Sequence, residues 1–148
     1  MDEKQARSLT LLRKSIVFVL YVLAAQFIFG MIVNLYVQFP GSTPGGNAMT
    51  WVMQHSPVTM AHIFIGTLIV FLSMIVMFLT ISSQGKSAIL LSVLGFFFIL
   101  FSWGSGMAFL TNGQQNITSF LMALGFILAI VVYGMQLRLI RHSMKERN

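Results

Sequence analysis

Three histidines are the side chains with which this chain could most readily bind a metal ion. His55 stands just before Ser56-Pro57, His62 lies seven residues later inside an apolar run, and His142 is near the end of the sequence. An ionisable side chain within a membrane span marks a functional site by default. Neutral imidazole is a common axial ligand of heme iron, so His62 is predicted to bind heme near the outer membrane face.

The residues around His62 suggest how heme b would be held. Gly66 lies one turn further along the same helix face, and without a Cβ it would let a flat macrocycle approach the backbone. Met122 is placed at a similar depth in the last apolar segment, and a thioether is an accepted second ligand. His55 or Met107 could take that place instead, or the iron could keep one open face.

A second interpretation makes His62 a structural residue. Its imidazole would hydrogen-bond Gln26, Asn34 or water at the membrane interface, since polar side chains in lipid find partners on neighbouring helices. Gln26, Gly30 and Asn34 recur at every fourth position of the first apolar segment and therefore share one face, which in the heme interpretation would belong to the cofactor-binding site. The chain would then be a non-catalytic bundle that acts as a partner-binding or assembly subunit.

A third interpretation is copper collection by the segment between the first two apolar runs. Thioether and imidazole are the ligand types that select Cu(I). They come together in "AMTWVMQHSPVTMAH", which contains Met49, Met53, Met60, His55 and His62.

Residues for hydrolytic chemistry are missing from the sequence. The three acidic residues, Asp2, Glu3 and Glu146, lie at the two ends of the chain, and there is no cysteine. No pair of carboxylates, no Ser/His/Asp set and no phosphate-binding loop can be assembled from such a sequence. We therefore expect a binding protein rather than an enzyme.

Four apolar segments must position these residues. The chain has 148 residues, of which 57% are hydrophobic and 8% charged, against about 25% charged in soluble domains. Each segment is long enough for the roughly 20 residues that span a bilayer; the segments are 15–37, 58–81, 89–110 and 117–139. Within lipid only helices satisfy the backbone hydrogen bonds of such segments. The sequence predicts one all-α membrane domain over 1–148, with an irregular Gly/Pro-rich outer loop at 38–57.

The basic residues predict how the helices are oriented. All nine precede the first segment, lie between the second and third, or lie at the end of the fourth and beyond it, whereas 38–57 and 111–116 carry no charge. By the positive-inside rule the bundle is antiparallel, with both termini cytoplasmic, in a cell membrane that we expect to be the bacterial plasma membrane. The net charge of +6 then reflects topology and contact with anionic lipid, not nucleic-acid binding.

Small and polar residues recur along one face of each segment. Such stripes are typical of close helix contacts in membranes. They are predicted to form the contact faces of a four-helix bundle: Gln26, Gly30 and Asn34; His62, Gly66 and Ser73; Gly95, Ser102 and Gly106; Ser119, Met122, Gly125 and Ala129.

Several short stretches resemble one four-helix half of heme A synthase. They are "QFIFGMIVN", "AHIFIGTLIVFL" and "FSWGSGMAFLTNGQQNITSFLMALGF", within residues 20–135. The resemblance implies a heme ligand at His62. Thr59 stands where the family's catalytic half has a glutamate, and Leu121 or Met122 where it has a second histidine, which argues against the family's oxygenase-like chemistry.

The resemblance also suggests a role and partners. It implies a small heme-binding protein of the respiratory or heme-handling kind, in contact with a respiratory-chain membrane protein. Because the family has two similar halves, a single half could instead pair with itself as a homodimer.

Overall fold

The computed structural model describes residues 3–40, 48–83 and 85–146, and most of them are helical. The helices are α1 (Glu3–Tyr36), α2 (Met49–His55), α3 (Pro57–Ser83), α4 (Lys86–Thr111) and α5 (Asn116–Glu146). No strand occurs in the described part of the chain. The prediction of an all-α chain is confirmed.

Four of the helices, α1, α3, α4 and α5, are long and apolar enough to cross a membrane. They have 34, 27, 26 and 31 residues. At 1.5 Å per residue even the shortest exceeds the roughly 30 Å of hydrocarbon. The chain thus has the helices of a multi-pass membrane protein.

Two helices extend well beyond the predicted apolar segments. α1 begins at Glu3 instead of residue 15, and α5 continues to Glu146 instead of residue 139. The added turns are rich in Lys, Arg, Glu, Gln, Leu and Met, which are good helix formers in water. Apolar composition therefore marks the width of the hydrocarbon layer and not the end of the helix.

The segment predicted as an irregular loop, 38–57, contains the short helix α2. Residues 41–47 of that segment lie outside the described residues. The prediction was too simple because the Gly and Pro residues cluster at 40–46 and at Pro57, leaving 48–56 free of both. The Ala48 N–H donates to the Leu110 carbonyl at 3.0 Å, and Val52 is buried in the same cluster. These contacts hold α2 against the end of α4.

The four long helices form a ring in which each packs mainly against two others. α1 contacts α3 and α5, and α4 contacts the same two helices. Leu12, Ile16, Ile69 and Tyr133 are among the residues buried between them. Outward-facing positions are also apolar, as expected for helices surrounded by lipid.

Glycines lie at the closest helix contacts, as the small-residue stripes predict. A Cβ on Gly95 would stand 2.8 Å from the Tyr133 ring, and a Cβ on Gly125 would stand 3.0 Å from the Phe98 carbonyl oxygen. Because any side chain there would collide, these glycines allow α4 and α5 to approach. The prediction that these two glycines lie on helix contact faces is confirmed.

Candidate functional site

The site begins with a polar contact between α1 and α3. Gln26 of α1 is 8% exposed, and its Nε2 donates to the backbone carbonyl of His62 at 3.0 Å. The same Nε2 lies 3.4 Å from the His62 ring nitrogen Nε2. Among the partners that the sequence offered to His62, the structure therefore brings Gln26 to it.

The contact between the Gln26 amide and the imidazole ring is a hydrogen bond in only one tautomer of His62. An amide nitrogen can only donate, so its contact with the ring is a hydrogen bond when His62 Nε2 is unprotonated. The neutral ring then carries its proton on Nδ1. The Nδ1 atom is buried and has no hydrogen-bond partner among the described residues.

Gly30 and Gly66 make room for this polar pair. A Cβ on Gly30 would stand 3.1 Å from His62 Cε1, and a Cβ on Gly66 would stand 3.0 Å from Gln26 Nε2. Each glycine thus faces the polar side chain of the opposite helix. The four residues form one reciprocal unit, in which Gly30 of α1 faces His62 of α3 and Gly66 of α3 faces Gln26 of α1.

A heme bound to His62, as the sequence predicts, would compete with this unit for space. The space beside Gly66 is taken by the Gln26 amide, and the edge of the imidazole faces Gly30. In this arrangement, a macrocycle on the His62 Nε2 side would have to displace Gln26. Ligation of heme through Nε2 therefore requires Gln26 to move, and heme binding at His62 stays a prediction.

The proposed second ligand lies in a different helix contact. Met122 of α5 has its Sδ 3.0 Å from the position of a Cβ on Gly106, and its carbonyl accepts a hydrogen bond from Ser102 Oγ at 2.8 Å. Both contacts are with α4, whereas His62 contacts α1. The contacts of the described residues thus join Gln26, Gly30, His62 and Gly66, and they leave Met122 apart from this unit.

Asn34 and Met107, also predicted near the site, do not join the unit through any described contact. Asn34 is exposed two turns beyond Gln26, and Met107 is half-buried on α4. Neither forms a hydrogen bond with His62 among the described residues.

The residues predicted to collect copper are divided between two environments. Met49 and Met60 pack against the buried cluster around Val52, whereas Met53 and His55 are exposed. The His55 ring stacks on Trp51 with centroids 5.5 Å apart, and its Nδ1 lies 3.1 Å from the Trp51 carbonyl oxygen. Side chains two positions apart on a helix do not face each other, so Met53 and His55 point apart.

A second polar cluster, not predicted from the sequence, lies between α3 and α5. Gln136 Nε2 donates to Thr80 Oγ1 at 3.1 Å, and both residues are fully buried. Ser92 of α4 is also fully buried. The signal in the sequence is the polar Gln136 within an apolar segment, but it lies two residues before Arg138, where a polar side chain is equally compatible with the membrane interface.

Comparison with known proteins gives this chain no relative. No family model, no curated protein and no solved structure matches it. The class is therefore defined by the fold alone: an all-helical chain with four helices able to cross a membrane and a polar Gln26–His62 contact between two of them.

Proposed function

We propose that the four long helices form an antiparallel bundle in the bacterial plasma membrane, with both termini in the cytoplasm. The one-sided distribution of all nine basic residues supports this orientation. Contacts between α4 and α5 support the antiparallel arrangement: Gly95 meets Tyr133 and Gly106 meets Met122. Moving eleven residues forward along α4, from Gly95 to Gly106, therefore corresponds to moving eleven residues back along α5, from Tyr133 to Met122, so the two helices run in opposite directions.

The topology is testable because the chain has no cysteine. Single cysteines would replace Thr50, Asn112 and Ser87, all of which are exposed. In intact spheroplasts an impermeant maleimide should label the cysteines at 50 and 112, and it should label the one at 87 only after lysis. Labelling of 87 in intact cells, or protection of 50 and 112, would contradict the proposed orientation.

We further propose that the protein is a non-catalytic membrane subunit that acts by binding a partner, and that His62 and Gln26 serve to hold α1 against α3. The observation that carries the structural role of His62 is the Gln26 amide, which lies within hydrogen-bonding distance of both the His62 carbonyl and its ring. Other interhelical polar groups are used in the same way: Gln136 with Thr80, and Trp103 with Thr67.

Heme binding is the second candidate function, and one specific observation favours it. His62 Nδ1 is buried and has no hydrogen-bond partner in the part of the chain that the structure describes, although a buried polar group left unpaired costs about 1–3 kcal/mol. Iron coordinated through Nδ1 would give that atom a partner. The ring proton would then be on Nε2, facing the Gln26 amide nitrogen, so Gln26 would have to move. The resemblance to a heme A synthase half points to the same residue, with Met122 or His55 as the predicted second ligand.

A visible spectrum separates the two candidates. The protein would be purified from heme-replete cells beside His62→Ala and, as a matched control, His142→Ala, whose histidine is exposed at the end of α5. The structural role predicts no Soret band in any of the three. A stoichiometric Soret band that is lost only in His62→Ala would overturn the structural role and establish heme binding.

A further inference from the structure

The seam between α1 and α5 contains a shallow apolar groove. Its volume is about 450 Å³, and its lining comes from three residues of each helix: Ala24, Phe27, Ile28, Phe126, Ile127 and Ile130. The rings of Phe27 and Phe126 stack across the seam with centroids 6.1 Å apart. Most of the lining side chains are exposed, so within a membrane the groove faces lipid.

Beyond the groove, the same face of α5 leads to a pair of arginines. Four residues of α5 lie along one face of the helix because they follow one another at intervals of four, four and three residues: Ile130, Gly134, Arg138 and Arg141. A Cβ on Gly134 would meet no atom within 4 Å. The seam is thus open at Gly134, between the apolar groove and the exposed Arg138.

α1 carries a matching cation at the same level. Lys14 is exposed on α1, fourteen residues before Ile28 and on the same helix face. The contact between Phe27 and Phe126 marks one shared level of the two helices. Thirteen residues before Phe27 on α1 is Lys14, and thirteen residues after Phe126 on α5 is residue 139, between the two arginines. Lys14 and the arginines therefore lie at about the same level. This matching rests on the antiparallel arrangement proposed above. Thirteen helical residues span about 20 Å, so the cations lie about that far from the Phe27–Phe126 contact.

We propose that this seam binds one anionic phospholipid from the cytoplasmic leaflet. The phosphate lies among Lys14, Arg138 and Arg141, and an acyl chain runs past Gly134 to the Phe27–Phe126 contact. Charge complementarity selects the occupant, because helix register places three cations at the same level beyond one end of an apolar groove. Glu3 is the only carboxylate among the described side chains, and it pairs with Arg7 on the same helix.

The test of the headgroup site uses native mass spectrometry of the full chain released from vesicles of phosphatidylglycerol and phosphatidylcholine. Lys14→Ala, Arg138→Ala and their combination would be compared with Lys86→Ala, which removes an exposed cation at the start of α4. Retention of phosphatidylglycerol should fall about fivefold for each seam cation removed and stay unchanged in Lys86→Ala. Equal losses in all variants, or equal retention of phosphatidylcholine, would overturn the proposal.

A second variant tests the acyl-chain path without changing any charge. Gly134→Leu should lower phosphatidylglycerol retention, whereas Gly104→Leu, at an exposed glycine with equally open surroundings, should not. Unchanged retention in Gly134→Leu would refute the path, and a lipid-free dimer would show that a second copy fills the seam instead. The maleimide labelling of cysteines at 50, 87 and 112 tests the proposed topology independently, so a wrong topology can be distinguished from the absence of a lipid site.

Discussion

Replacement of Gly66 by alanine tests the reciprocal packing at His62. The added methyl group would stand 3.0 Å from Gln26 Nε2, a distance at which one of the two groups must move. The amide is itself 3.0 Å from the His62 carbonyl, so its displacement weakens that hydrogen bond. Interhelical hydrogen bonds in membranes average about 0.6 kcal/mol and reach about 1.7, which bounds the expected loss.

The matched control is Gly104→Ala on α4. Its Cβ would meet no atom within 4 Å. Both substitutions gain the roughly 0.8–1 kcal/mol of helix propensity that separates alanine from glycine, so this contribution cancels in the comparison. Gly66→Ala should therefore be less stable than Gly104→Ala by about 0.6–1.7 kcal/mol.

The assay is reversible unfolding of the purified protein in bicelles, with the imidazole ¹⁵N chemical shifts of His62 as a local readout. In a Gln26→Ala background the methyl group has space, so the difference between the two glycine variants should disappear. Equal stability of Gly66→Ala and Gly104→Ala with Gln26 present, or an unchanged difference after Gln26→Ala, would refute the proposed packing.

Two further predictions concern the other helix contacts. Gly95→Ala should be about 1–3 kcal/mol less stable than Gly104→Ala in the same unfolding assay, because its Cβ would stand 2.8 Å from the fully buried Tyr133 ring; equal stability would contradict the contact. Gln136→Leu should cost up to about 1.7 kcal/mol by removing the hydrogen bond to Thr80, and combining it with Thr80→Val should add less than the two single changes sum to; strict additivity would contradict it.

Hydrophobic composition was sufficient to predict the four long helices, because the lipid environment allows almost no other backbone structure. Periodicity also predicted that Gly66 and Gly95 would lie at helix contacts. It could not say what would occupy the space beside them. That depends on which side chain the neighbouring helix presents at that level, and at Gly66 the occupant is Gln26.

The short helix α2 and the buried Gln136 were missed for a related reason. Both lie near the predicted membrane boundaries. A polar residue there could belong to a loop, face the membrane interface or form a buried contact between helices. Only the three-dimensional pairing distinguishes them: Ala48 with the end of α4, and Gln136 with Thr80.

The orientation of the Gln26 amide finally decides what His62 can do. If the amide were turned over, its oxygen would lie about 3.0 Å from the His62 carbonyl oxygen and the two would repel, so the nitrogen must face His62. In the tautomer with its proton on Nδ1, the ring nitrogen Nε2 accepts a hydrogen bond from Gln26. Coordination of iron through Nε2 requires the same lone pair, so the helix contact and heme ligation exclude each other at that atom. A heme-loaded protein should therefore be insensitive to Gln26→Leu, whereas a heme-free protein should lose stability.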